Sequence, residues 1–198
     1  IGHVTQALIN FWFKNKPSDN DLLPEDLRPL FTELCDEHIY RFRHGRVLMS
    51  SRLITFFRVD RAWTVQNLLP HFDWSNPVEA KSTWEGFLWS PRLFQPLLTA
   101  YKSQFLDTAK HYMELGEHRG QYARILTHAA LGPIEGYNTD EFRLAIGSLP
   151  QEGLEVSAMT LAQAISGSGD QRAEYWKHRV RPYLQEIWPK SLDKASLN

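Results

Sequence analysis

The residues best spaced for chemistry are His111, Glu114 and His118. They stand at i, i+3 and i+7, a spacing that on one helix sets two imidazoles and a carboxylate on a common face. Zinc takes nitrogen and oxygen ligands of this kind. Gly116 interrupts the set, however, and the spacing is not His-Glu-x-x-His. The sequence therefore assigns them to the polar face of a helix end. The one thiol, Cys35, has His38 three residues on. A thiol nucleophile needs a base within hydrogen-bond reach, but Cys35 lies in an apolar stripe, where cysteine packs as a small hydrophobe. His71-Phe72-Asp73 and His111 are the remaining places where an unfamiliar hydrolase or transferase constellation could lie. No Gly-x-Ser-x-Gly elbow is present, and Ser166-Gly167-Ser168-Gly169 lacks the Lys-Ser/Thr of a phosphate-binding loop. No catalytic, cofactor-binding or metal-ligating residue is assigned, and no cofactor is expected.

Charge patterning offers a different candidate. Arg41, Arg43, Arg46, Arg52, Arg58 and Arg61, with His44, are accompanied only by Asp60 over the same stretch. Arginine suits phosphate, carboxylate and aromatic recognition. These six residues are the candidate interaction surface, for an acidic protein face or for nucleic acid. Alternatively they pair with acids elsewhere in the chain, as charge runs often do. A smaller cluster, Lys177, Arg179 and Arg181, follows Trp176. The formal net charge of −1 gives no overall attraction to nucleic acid or to an anionic membrane.

The elements that must hold these residues read as helices. Val4, Leu8, Phe11 and Trp12 share a face of a first helix, Gly2 to Lys14. Pro24-Glu25-Asp26 opens a second, whose stripe runs from Leu27 to Ile39. Gly45 is expected to break it from a buried helix over 47–57. Asp60 caps a short helix from Ala62 to Leu69, and Pro77 starts one that carries Trp84, Phe87 and Leu88. Trp84 and Trp89, five residues apart, point to different sides of that helix. One can be core and the other exposed, or both can be buried. Ser90-Pro91 is expected to start the next helix, a long or kinked one from Leu93 to Met113 that Gly116 ends. Further helices follow over 121–131, from Thr139 as cap to Leu149, over 154–165, and from Asp170 to Trp188 with Pro182 inside. No Asn-Gly or Asp-Gly hairpin signal appears between alternating runs.

The expected fold is all-α, about ten helices in a HEAT-like stack or an irregular bundle. It is read as a single helical domain, 1–198, with N-terminal helices over 1–45. Seven tryptophans and eleven phenylalanines give a bulky core. A lone cysteine rules out an intrachain disulfide and fits a reducing, cytoplasmic setting. No apolar run approaches the length that spans a bilayer. The chain lacks an initiator Met and enters a helix at once, which suggests a piece of a longer protein.

Three blocks carry a family resemblance. They are Ser51-Arg52-Leu53 through Phe57-Arg58-Val59-Asp60 to Trp63-Thr64 and Leu68-Leu69-Pro70; Trp84-Glu85-Gly86-Phe87-Leu88-Trp89-Ser90-Pro91-Arg92; and Asp170 to Trp176 through Trp188-Pro189-Lys190. Over 46–190 the chain resembles a bacterial helical domain family without an assigned active site. Its members stand toward the C-terminus of large proteins that often begin with a sirtuin-like, NAD-consuming domain. The resemblance implies an anti-phage defence protein in which this region senses, inhibits or oligomerises. It implies partners among the other domains of the parent chain or in another protein, and it implies no oligomeric state; the alternative of nucleic acid rests on the arginine run alone.

Overall fold

The computed structural model describes residues 2–190. It is all-α: helix makes up 75% of the chain, and no strand occurs among the described residues. The chain divides into two compact units, one ending at Pro91 and the other beginning at Arg92.

The first unit starts with α1 (Gly2–Lys14), which buries Thr5, Ile9 and Trp12. A loop follows, with positive φ at Lys16, Asn20 and Leu22. Its backbone turns back on α4 (Leu53–Val59): Asn20 donates to the Arg58 carbonyl at 2.9 Å and Leu22 to that of Val59 at 3.0 Å. The last carbonyls of a helix have no partner within it, and here the loop supplies one.

Helix α2 is shorter than its apolar stripe suggests, spanning Arg28–Leu34. Cys35 closes it, and Arg46 Nη1 donates to the Leu34 and Asp36 carbonyls at 3.1 and 2.9 Å. A buried guanidinium from elsewhere in the sequence thus takes the place of further helical turns. Gly45 does not break a helix. It lies inside α3 (Arg43–Ser50), where an added Cβ would meet Thr5 Oγ1 at 2.9 Å and Leu34 Cδ2 at 3.1 Å. The break comes instead at Ser51-Arg52, before α4. Ser50 and Ser51 hydroxyls bond back to the Arg46 and Leu48 carbonyls, and such back-bonding competes with the helical ladder.

Asp60 caps α5 (Arg61–Asn67) as expected, accepting from Trp63 N at 3.0 Å. The same buried carboxylate accepts from Leu23 N and from Arg28 Nη1. Helix α6 (Pro77–Leu88) packs across α3. Two aromatic clusters fill the unit. In one, Phe56 stacks on Trp63 at 5.7 Å and meets Phe31 edge-on at 5.1 Å and Trp12 at 4.8 Å. In the other, Phe72 meets Trp84 edge-on at 4.9 Å. Offset and edge-on ring pairs add stabilisation beyond the area they bury.

Ser90-Pro91, the end of the first unit, does not start a helix. In the second unit, Phe94 is extended, and α7 (Gln95–Ala100) begins beyond it with Pro96 in its first turn. A helix begun at Pro91 would carry Pro96 in its interior, where its ring clashes and a hydrogen bond is lost. Helix α8 (Lys102–Asp107) leads into a 3₁₀ stretch, Thr108–His118. Then come α9 (Arg119–Ala130), α10 (Thr139–Ser148) and α11 (Gln151–Gly167). The cap of α10 is Asn138 rather than Thr139, in a reciprocal box with Glu141: Glu141 N donates to Asn138 Oδ1 at 2.9 Å and Asn138 N to Glu141 Oε2 at 3.0 Å. The buried Tyr122 hydroxyl donates to the Phe105 carbonyl at 2.6 Å.

Helix α12 (Arg172–Tyr175) runs straight into two π-helical stretches, Trp176–Val180 and Tyr183–Ile187. Pro182 lies between them with helical dihedrals. Having no N–H, it cannot continue the i→i−4 ladder, and the wider bonding keeps the helix unbroken around it.

Candidate functional site

Of the residues first marked for chemistry, Cys35 and His71 are buried, and His38 and Asp73 are exposed. Cys35 is buried, and burial pushes its thiol up to about 12 against a smaller opposing effect of Arg46. At neutral pH it is a thiol, without the nucleophilicity of a thiolate. His38 is exposed, its backbone N–H bonded to Asp36 Oδ1. The imidazole that reaches Cys35 is His71, through the Cys35 carbonyl. His71 is buried with its Nε2 unpartnered. Burial, and then the nearby Arg46 charge, hold it below its ordinary value and so neutral. Asp73 faces outward and accepts from Ser75 N at 2.8 Å. His111 Nδ1 meets Glu114 Oε1 at 2.7 Å. Gly116, with φ of 63°, turns the chain before His118. No group of three or more metal-ligating side chains converges among the described residues.

The six arginines are divided among different tasks. Arg46 is completely buried and contributes nothing to a surface. Its Nε bonds Glu79 Oε2 at 2.8 Å, while Arg43 Nε bonds Glu79 Oε1 at 2.7 Å. Burial pushes Glu79 up, but the hydrogen bonds and charges of Arg46 and Arg43 outweigh it and hold the carboxyl below its ordinary value. The Arg43 guanidinium also lies over the Tyr40 ring at 4.4 Å. Arg41 and Arg61 lie over Phe42 and Phe57 at 5.6 and 5.3 Å. Arg58 pairs with Asp19 at 2.8 Å, an exposed ion pair. Arg52 is exposed at the start of α4. Four of the six thus have outward positions, and the two nearest the core are bound to one carboxylate. In the other unit, Trp176, Lys177, Arg179 and Arg181 are all exposed.

A site the charge pattern did not indicate lies where α1, α3 and α6 meet. It is an open groove of about 730 Å³. From α6 and its end come Ser82, Glu85 and Trp89; from α3, Arg43, His44, Val47 and Leu48; from α1, Gly2, His3 and Gln6. Helical spacing explains each set. Glu85 and Trp89 are one turn apart, as are His44 and Leu48, so each pair shares a face. Trp84 is five residues from Trp89, about 140° around the helix at 3.6 residues per turn. Trp84 accordingly packs at 0% exposure while Trp89 stands 47% exposed at the groove. Beside the groove α3 and α6 approach closely. Gly86 lies so near the Val47 main chain that an added Cβ would fall 2.9 Å from the Val47 carbonyl carbon and closer still to its oxygen.

The groove combines an indole, a carboxylate, hydrogen-bonding side chains and the apolar Val47 and Leu48. Among the described residues Glu85 has no ion-pair partner. Such a mixture of apolar surface and a few polar groups suits ligand binding; the Ser82 hydroxyl donates to the Val78 carbonyl at 2.9 Å. The sequence signal that could have found it was the Trp84–Trp89 spacing, which places one ring outward. Compared with protein-family models, curated proteins and solved structures, the chain matches none.

Proposed function

We propose that the chain is a non-catalytic helical interaction domain that receives a segment of a protein partner in the α1–α3–α6 groove. The observation that carries this reading is Trp89, a large apolar ring left exposed at the mouth of a 730 Å³ groove. Exposed tryptophans beside a pocket are frequent anchors of binding energy. The inert thiol of Cys35, the neutral buried His71 and the Glu79 pairs agree with it, since each is committed to the fold. The family resemblance supplies the setting we propose: a cytoplasmic, bacterial defence protein whose other domains or partners this domain senses or holds.

Panning a displayed random-peptide library on the 198-residue chain, with counter-selection on Trp89→Ala, tests the reading. Peptides that bind the wild type and lose at least tenfold on Trp89→Ala are expected. Recovery only of peptides indifferent to Trp89 overturns it. Nucleic-acid binding through the arginines is the weaker reading, because Arg46 is buried and Arg43 shares Glu79 with it. Salt-sensitive binding to DNA or RNA that Arg52→Ala and Arg61→Ala weaken would restore it.

A further inference from the structure

We infer that the occupant of the groove is a peptide segment presenting an arginine or lysine, whose cation lies between Glu85 and the face of Trp89. The inference rests on the interaction-domain reading and adds the chemistry of the partner.

Glu85 and Trp89 share a face of α6 and its last turn, and both line the groove. Trp89 keeps helical dihedrals, so the one-turn spacing holds at the helix end. A carboxylate beside an exposed indole is a recognition element for a cation. The ring face attracts the charge and the carboxylate neutralises it, while the aliphatic stem of the incoming side chain covers apolar surface. Glu85 is available for this: among the described residues it has no ion-pair partner, and Lys81, one turn earlier, does not supply one.

The rest of the lining suits a peptide main chain better than a second charge. Arg43 is the formal cation of the lining, and its Nε is already bound to Glu79 with its plane over Tyr40. Its remaining N–H groups, with the Gln6 amide and the His44 ring, can donate to carbonyl oxygens. Val47 and Leu48 give apolar contact beside them. An acidic segment would set its carboxylate against Glu85, and the formal cation of the lining, Arg43, already shares its charge with Glu79. A purely apolar segment would leave Glu85 desolvated and unpaired. Charge complementarity therefore selects a basic residue flanked by an apolar one.

The panned peptides decide the matter. Those that depend on Trp89 are expected to share an arginine or lysine beside an apolar residue. Replacing that arginine by citrulline, which keeps the shape and removes the charge, is expected to weaken binding at least tenfold. Glu85→Gln is expected to do the same to the arginine peptide and to leave the citrulline peptide unchanged. Both substituted side chains are exposed, so a thermal melt matching wild type checks the fold. Trp89-dependent peptides without a basic residue, or arginine peptides indifferent to Glu85→Gln, overturn the inference and leave the interaction reading standing. Absence of any Trp89-dependent peptide overturns both.

Discussion

Gly86 in α6 rests against the main chain of Val47 in α3. No side chain separates the two helices there, and the obstacle to a larger residue is backbone, which cannot rotate away. Gly86→Ala is therefore expected to destabilise the first unit by about 3 kcal/mol, the upper range for overpacking, despite the better helix propensity of alanine. Gly45→Ala meets the buried Thr5 and Leu34 side chains rather than backbone, and should cost less, about 1–2 kcal/mol. Gly147→Ala, in α10 with open space around its Cβ, should gain about 0.5–1 kcal/mol. Chemical denaturation of the three variants checks the order; an unaltered Gly86→Ala protein would contradict the close approach.

The two tryptophans of α6 make a matched pair of variants. Trp84→Ala removes a fully buried ring whose Nε1 donates to the Phe72 carbonyl at 3.2 Å. A loss of about 3–5 kcal/mol is expected. Trp89→Ala removes an exposed ring and should shift stability by no more than about 0.5 kcal/mol. Thermal melts of both variants separate the packing ring from the binding ring.

Glu79 joins two arginines, one with no solvent contact. Glu79→Gln leaves Arg46 buried without its counter-charge, and a loss of about 3–5 kcal/mol is expected. The pair also sets an acid limit. The folded carboxyl titrates below 4.5, its ordinary value, so its stabilisation is complete above that pH. It is lost as pH falls from 4.5 through the folded value. Urea titrations between pH 3 and 6 should show that decline in the wild type.

His71 acts at higher pH with the same sign. Its folded value lies below 6.5, so above pH 6.5 it is neutral in both states and contributes no slope. Below 6.5 the unfolded chain takes up a proton that the folded one refuses. Stability then falls by up to about 1.4 kcal/mol per pH unit until the folded value is reached. His71→Gln should flatten that part of the profile. An unchanged slope in the variant would place the titration elsewhere.

Cys35 gives a simple probe of the first unit. With its thiol pushed up to about 12 and its side chain buried, the native protein should react with a disulfide reagent far more slowly than in denaturant. Rapid stoichiometric labelling of the native protein would show that this part of the unit opens readily.

How legible these features were in the sequence depends on how local their causes are. The Asp60 cap, Pro77 at the first turn of α6 and the all-helical class follow from a few adjacent residues, and the structure agrees with them. Gly45 was misleading because a glycine looks the same in sequence whether it ends a helix or admits a neighbour. The end of α2 is set by Arg46, ten and twelve residues beyond the carbonyls it caps. Within the arginine run, Arg43 and Arg46 could not be told from the four outward arginines, because Glu79, which binds both, is 36 and 33 residues away. The groove shares this difficulty: its walls come from three helices, and only the α6 wall announced itself, through the tryptophan spacing.

The loop that closes α4 has a kinetic consequence. Asn20, Leu22 and Leu23 donate to Arg58, Val59 and Asp60, so the end of that helix is completed by chain 37 to 38 residues earlier. Most all-helical units assemble from neighbours and fold quickly because little loop entropy must be lost first. Here the last carbonyls of α4, and the Leu23 bond to the carboxylate that starts α5, are satisfied only once a distant segment has arrived, with two non-glycine residues, Asn20 and Leu22, at positive φ. Folding of this unit is therefore expected to carry the loop-closure cost of that segment in addition to the forming of the helices.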